Sequence, residues 1–295
     1  MNKSRKHRIL LGLVCLSMII WGVSWSSAKV LGRYGDALSV AFIRFFVVIA
    51  VLLPTIPVLK LRFEIKQEGL KYLLFASIFL GLYTTSFFRG LQLGNAGAAG
   101  VLVTITNPLF AFIIGIIISK IVPRKIELLG LLLGLTAGGF LLKIWVNTDS
   151  IFESGNLLFI AASILWALMS KMTSLSKPFT HPIVFSFWLH ATVPVLMIPF
   201  VDFSDVLNIF KTADSLFWWN MAYFGIINSS FATVTYLSAT TVIGAEKAST
   251  FIFLVPVSAI ATSYFTLDEV IHWHTIVGMA LGVIAVMVIN GTIKK

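Results

Sequence analysis

The chain has 295 residues, 58% of them hydrophobic and 12% charged, with a mean hydropathy of +0.96. A soluble domain carries about a quarter of its residues as charges, so a water-soluble globule is excluded. The formal net charge of +10 would suit a nucleic acid, but the cations are parcelled out between short loops, and no nucleic-acid partner is expected.

Apolar windows of about 20 residues, the length that crosses a hydrocarbon core as a helix, recur from end to end. They are continuous rather than alternating, so helices are predicted and not barrel strands. The first, at 9–28, follows NKSRKHR and carries Cys15, Trp21 and Trp25. A basic start before an apolar run also fits a secretory signal; a retained first span is expected, because Trp21 has a counterpart in Trp166 of the sixth span. The second, at 37–59, contains Arg44. The third and fourth, at 69–88 and 96–119, contain Tyr83, Asn107 and Pro108. The fifth, at 126–146, holds Gly130 and Gly134.

A polar joint from Asn147 to Ser154 divides the chain into residues 1–147 and 155–295. Beyond it lie windows at 155–173 with Trp166 and Lys171, 181–201, 215–238 with Asn228 and Tyr236, 245–266 with Pro256, and 272–291 with Gly278 and Gly282. The segment DFSDVLNIFKTADS between the seventh and eighth windows reads as lying at the membrane surface. The lone Cys15 permits no intramolecular disulfide.

The cations sort by side. With the N-terminus inside, Lys29, Arg33, Arg89, Lys143 and Lys211 fall outside and Arg44 falls within a span. All the other Lys and Arg residues fall inside. That bias predicts both termini in the cytoplasm. The second half also echoes the first. One offset carries Pro108 onto Pro256 and the pair Gly130/Gly134 onto Gly278/Gly282. Five spans per copy is an odd number, so the copies sit upside down relative to each other, as in many secondary transporters. The expected fold is an all-α polytopic membrane protein of ten transmembrane helices in two inverted five-helix repeats.

Several motifs occur in a fixed order. WGVSWSSAKV closes the first span and AFIRFF lies in the second. SFFRGLQLGNAGAAGVLVTITNPLFAFI runs through the third and fourth, and ELLGLLLGLTAGG opens the fifth. This order resembles the EamA family of the drug/metabolite transporter superfamily, over nearly the whole chain. The resemblance implies a carrier of small metabolites, amino acids or related solutes, often outward, in the inner (cytoplasmic) membrane of the cell. The family pattern places a Glu just after the fourth and ninth spans; Glu269 fits it, whereas Ile121 departs from it.

Aromatic and polar residues within spans outline a central substrate cavity: Trp21 and Trp25, one helical turn apart, with Arg44, Tyr83, Asn107, Trp166, Asn228 and Tyr236. Each has a plainer alternative, since aromatic rings also form interfacial belts. Arg44 either attracts a substrate carboxylate or phosphate, or tethers backbone carbonyls near the outer end. Asn107, beside Pro108, has an amide that would be costly against lipid. Pro108 and Pro256 should kink their helices, as hinges or for packing. The glycine pairs should pack helices within a repeat or between protomers. Lys29 and Lys171 should snorkel to the interfaces.

All twelve acidic residues fall at predicted span ends or in loops. No proton site is therefore expected, and facilitated diffusion or exchange is. His272 and His274 flank Trp273 and, spaced by two on a helix, should point apart, so no metal is expected. No cofactor motif occurs either. A membrane-embedded enzyme or lipid-handling protein is the alternative function. The partners expected are a small-molecule substrate and the lipid bilayer, for a monomer or homodimer.

Overall fold

The protein is described by a computed structural model at residues 3–93, 96–120, 122–142, 145–146, 154–260 and 272–290. Every regular element among them is helical. Apart from short 3-10 turns at Gln67–Gly69 and Ile198–Phe200, these are in chain order α1 (Lys3–Leu31), α2 (Ala37–Val58), α3 (Leu70–Leu93), α4 (Ala96–Ser119), α5 (Lys125–Leu142), α6 (Ser154–Leu175), α7 (Pro182–Met197) and α8 (Phe203–Thr212). A long rod follows, made of α9 (Ser215–Ala222), a π-helix (Tyr223–Thr233) and α10 (Val234–Ile243). Then come α11 (Ala245–Thr250), a 3-10 turn (Phe251–Leu254) and finally α12 (Trp273–Ile289).

Among the described residues, eight helical segments are long and apolar enough to cross a membrane, the rod from Ser215 to Ile243 being one of them. α12 is apolar but shorter. The end of the predicted ninth span, at 261–266, and Glu269 beyond it lie outside the described residues, as do Ile121, Lys143 and most of the joint between the halves. Large apolar side chains face outward all round the bundle, among them Leu53, Phe75, Ile117, Leu132, Val195 and Ile276. Water would penalise that surface, and lipid tails accept it.

Polar side chains set the helix ends. Asp36 caps α2 by accepting from Leu38 N–H at 3.0 Å. His181 caps α7 ahead of Pro182, Asp202 caps α8, and Asp214 caps α9 by accepting from Phe217 N–H at 3.0 Å. Such caps satisfy amide donors that a helix start leaves without partners. Gly244 joins α10 to α11 at φ +87, a backbone region that a Cβ disfavours.

The predicted surface segment is α8. It buries Val206 and Ile209 and exposes Phe203, Leu207 and Phe210. Gly35, between α1 and α2, lies so close to Ile209 and Asp205 that a Cβ there would collide with them. Asp36 N–H donates to Asp205 at 2.9 Å, Tyr34 Oη donates to Asp214 at 2.6 Å, and Arg89 pairs with Asp36 at 3.4 Å. Together these contacts pin one end of the bundle.

Neighbouring helices come from both halves. α3 packs on α6, and the π-helix and α10 pack on α1; α2 packs on α7, and α5 on α12. The α5–α12 seam uses the two glycine pairs. A Cβ on Gly130 would strike Ile289, one on Gly278 would strike Leu141, and Gly134 and Gly282 both lie against Phe253. The glycines therefore do pack helices: Gly130, Gly134 and Gly278 pack against the other half of the chain, and Gly282 packs within its own half, as expected of packing inside a repeat.

The prolines act unequally. Pro108 lies inside one uninterrupted α-helix, α4. Pro256 follows the 3-10 turn Phe251–Leu254; a ring that removes a donor and crowds the preceding turn favours such local rewinding.

Two expectations about charge are corrected. Lys171 does not snorkel: only 3% of it is exposed, and it forms a buried ion pair with Glu246 of α11. Glu246 in turn lies against Gly115 of α4. Glu127 is buried too, with Arg124 Nη2 at 2.9 Å and Lys247 Nζ at 3.9 Å. Span-end position therefore does not mean solvent exposure. The histidines are also placed differently. His272 is the non-helical cap of α12, so the helical rule for a spacing of two does not apply, and its ring stacks on His274 with centroids 5.4 Å apart. No cluster of three or more metal-ligating side chains occurs among the described residues.

Candidate functional site

A cavity of about 70 Å3 lies where α1, α2, α3, α4, α6, α7, the π-helix and the 3-10 segment converge. By volume it takes a handful of waters. α1 supplies Trp21, Ser24 and Trp25, and α3 supplies Tyr83, Thr84 and Phe87. Trp166 comes from α6 and His190 from α7. Six of the eight predicted residues thus meet on one wall system: Trp21, Trp25, Arg44, Tyr83, Trp166 and Asn228.

The rings brace one another. Trp21 meets Trp166 edge-on at 5.1 Å, and Tyr83 lies 4.7 Å from Trp166. Trp25 contacts Phe87 at 5.1 Å. Offset and edge-to-face pairs of this kind hold ring orientation beyond what area burial alone does. Tyr236, the seventh predicted residue, does not line the cavity. It is fully buried behind the wall, 5.0 Å from Trp21, and its hydroxyl accepts from Ser170 Oγ at 3.3 Å.

Asn107 also stands behind the wall. Its Nδ2 donates to the Ser163 carbonyl of α6 at 2.9 Å, so its amide ties α4 to α6. Asn107 is fully buried, and the partner of its Nδ2 is backbone. Pro108 and Pro256 do not line the cavity.

Arg44 is the only cation on the cavity wall among the described residues. Nη1 donates to Ser229 Oγ at 3.1 Å and Nη2 to Thr84 Oγ1 at 3.2 Å. Its guanidinium lies 4.8 Å from the Phe45 ring and 5.4 Å from Phe224. The partners are side-chain hydroxyls and rings, not the backbone carbonyls of the tether reading. Nε has no hydrogen-bond partner, and neither has the buried Oδ1 of Asn228.

The π-helix sets the fourth side. Its wide turns show as Thr233 Oγ1 donating to the Asn228 carbonyl and Ser230 Oγ to that of Gly225, each five residues back. Phe224, Asn228 and Thr233 all reach the cavity from it, and Ser229 reaches Arg44. π-helical turns are rare and recur at functional sites; nothing in the apolar pattern of this span announced one.

His190 was missed although a signal existed, because an ionisable residue inside an apolar helix is a functional candidate by default. It is buried, its Nδ1 lies 2.7 Å from the Ser186 carbonyl, and its ring packs on Phe45.

Comparison with known proteins shows the family. The profile of the EamA-like transporter family matches residues 8–142 and again residues 153–291. The chain belongs to the EamA-like transporter family. Two relatives share its full extent. An uncharacterized transporter of Bacillus subtilis, YoaV, is 25% identical over 281 residues, covering 93% of this chain and 94% of the relative. An uncharacterized transporter of Archaeoglobus fulgidus is 25% identical over 274 residues, covering 90% and 92%. A solved crystal structure matches with a TM-score of 0.74 at 16% identity, covering 96% of this chain and 98% of that one. That last likeness concerns the fold alone. The family and these relatives indicate a multi-pass membrane transporter rather than an enzyme.

Proposed function

We propose that this member of the EamA-like family is a secondary transporter that moves small organic metabolites, amino acids or related solutes, outward through the central cavity by alternating access. Ten helices in two inverted five-helix halves, 1–147 and 155–295, would carry it in the inner membrane with both termini cytoplasmic. The observation that carries the reading is the central cavity walled by rings and a few polar groups drawn from both halves, the composition of a small-solute site.

The inverted halves are supported by the way helices pair. Inversion exchanges the first span with the sixth and the third with the eighth, so a contact of α3 with α6 should have a mirror contact between the eighth span and α1; both contacts exist. The second–seventh and fifth–tenth contacts map onto themselves, and both exist as well. The double match of the family profile favours the same layout. In such a scaffold each gate resembles the other turned over, and rocking of the halves exposes one site to each side in turn.

Flux through purified protein in liposomes tests this. At least one solute from a panel of amino acids and organic acids should cross faster than in empty vesicles. Trp166→Ala and Trp21→Ala each remove a wall ring and should cut that flux about tenfold, the effect of roughly 1.4 kcal/mol. A panel in which nothing crosses, with folded protein in the vesicles, overturns the reading.

A further inference from the structure

We infer that the group recognised in the cavity is a carboxylate held by Arg44, so that the substrates are small monocarboxylates with an apolar or aromatic body. This rests on the carrier reading above and narrows its substrate class.

The argument starts from an imbalance of charge. Arg44 is 7% exposed, and no Asp or Glu lines the cavity among the described residues. A second deeply buried cation, Lys171, has its carboxylate in Glu246. Glu246 is therefore engaged, and Arg44 is left with two neutral hydroxyls. A buried charge without a counter-charge is costly inside a membrane protein. Ring faces at 4.8 and 5.4 Å offset part of that cost but do not neutralise it.

The donor geometry selects the anion. A guanidinium offers five N–H donors in a planar fork that matches the two oxygens of a carboxylate. Here Nη1 and Nη2 have one hydroxyl partner each, and Nε has none. Donors therefore remain on the side chain that lines the cavity. Much of the remaining wall is apolar or aromatic, with the rings of Trp21, Trp25, Tyr83, Phe87 and Trp166 beside a few neutral polar groups, and suits a flat or apolar body. A substrate ammonium would find no carboxylate on this wall, so a positive charge on the solute is not required and is disfavoured by Arg44.

Three probes with the same ring and different charge test the inference on purified full-length protein: benzoate, benzyl alcohol and benzylamine. Three wall tryptophans make intrinsic fluorescence the readout. Benzoate should quench it with an affinity at least about tenfold above that of either other probe, as a charge-assisted contact demands. Arg44→Gln should abolish that preference, and Arg44→Lys should retain part of it. The wild-type comparison alone keeps the test decisive where a variant fails to fold. Equal binding of the three probes, a preference for benzylamine, or no binding by any of them overturns the inference. So does undiminished benzoate binding by folded Arg44→Gln. The carrier reading is judged separately by liposome flux: neutral or cationic solutes that cross in a Trp166-dependent way would preserve it while this inference falls.

Discussion

Arg44 and Lys171 are both cations inside apolar helices, yet their surroundings are opposite. Lys171 is neutralised by Glu246, and Arg44 faces a cavity that no carboxylate lines among the described residues. Mid-helix position singled out Arg44 in the sequence. Its isolation was not legible there, because Thr84 and Ser229 come from two other helices. Asn107 shows the reverse: its need for a partner was legible, but the partner, a carbonyl of α6, carries no side-chain signature. At the pinned end, the Tyr34 hydroxyl donates to Asp214 and holds that carboxyl below the usual carboxylate range, helped by Phe217 N–H. The same bond raises the Tyr34 phenol above its ordinary value. A depressed carboxylate stabilises the fold fully above its unfolded value, about 3.9, and the gain is lost as pH falls through the lower folded value. Tyr34→Phe should therefore lower the melting temperature modestly near neutral pH, and the gap to wild type should close below about pH 4. A gap that persists unchanged into acid would show that the bond contributes nothing through Asp214.

At the scale of elements, the helices were legible because apolar runs of membrane length allow little else. Departures inside them were not. The π-helix of Tyr223–Thr233 and the 3-10 turn of Phe251–Leu254 arise from packing between helices, which a single run does not encode. Only Pro256 hinted at the second. The end of α6 is locked to the start of α11 by the Lys171–Glu246 pair, with Glu246 seated against Gly115 of α4. Removing one partner of a buried pair strands the other charge and typically costs about 3–5 kcal/mol, whereas replacing both with apolar groups is often neutral. Lys171→Met and Glu246→Leu should each lower the melting temperature sharply, and the double variant should recover most of the loss. A double variant as unstable as the worse single one would mean that the pair is not what joins these elements.

For the whole molecule, repetition was visible in the sequence as paired prolines and glycines, but the partner of each glycine pair was not. Small residues announce close approach without naming the neighbour. For Gly130, Gly134 and Gly278 the neighbour is the opposite half, through the α5–α12 seam and Phe253. The two halves, expressed as separate chains divided within 148–153, should therefore co-purify from membranes, and Gly134→Leu should abolish the pairing by colliding with Phe253. Recovery of each half alone and none of the complex would contradict a shared core. The lone cation of the cavity has one more consequence, on the reading proposed above. A site exposed to each side in turn carries its fixed charge from one electrical potential to the other. The empty carrier then moves a net positive charge, and the carrier holding a carboxylate moves none. Membrane voltage, at about 2.3 kcal/mol per charge per 100 mV, would act on the unloaded half of the cycle. With the cell interior negative, it draws the vacant site inward, where an outward-moving solute waits to be collected.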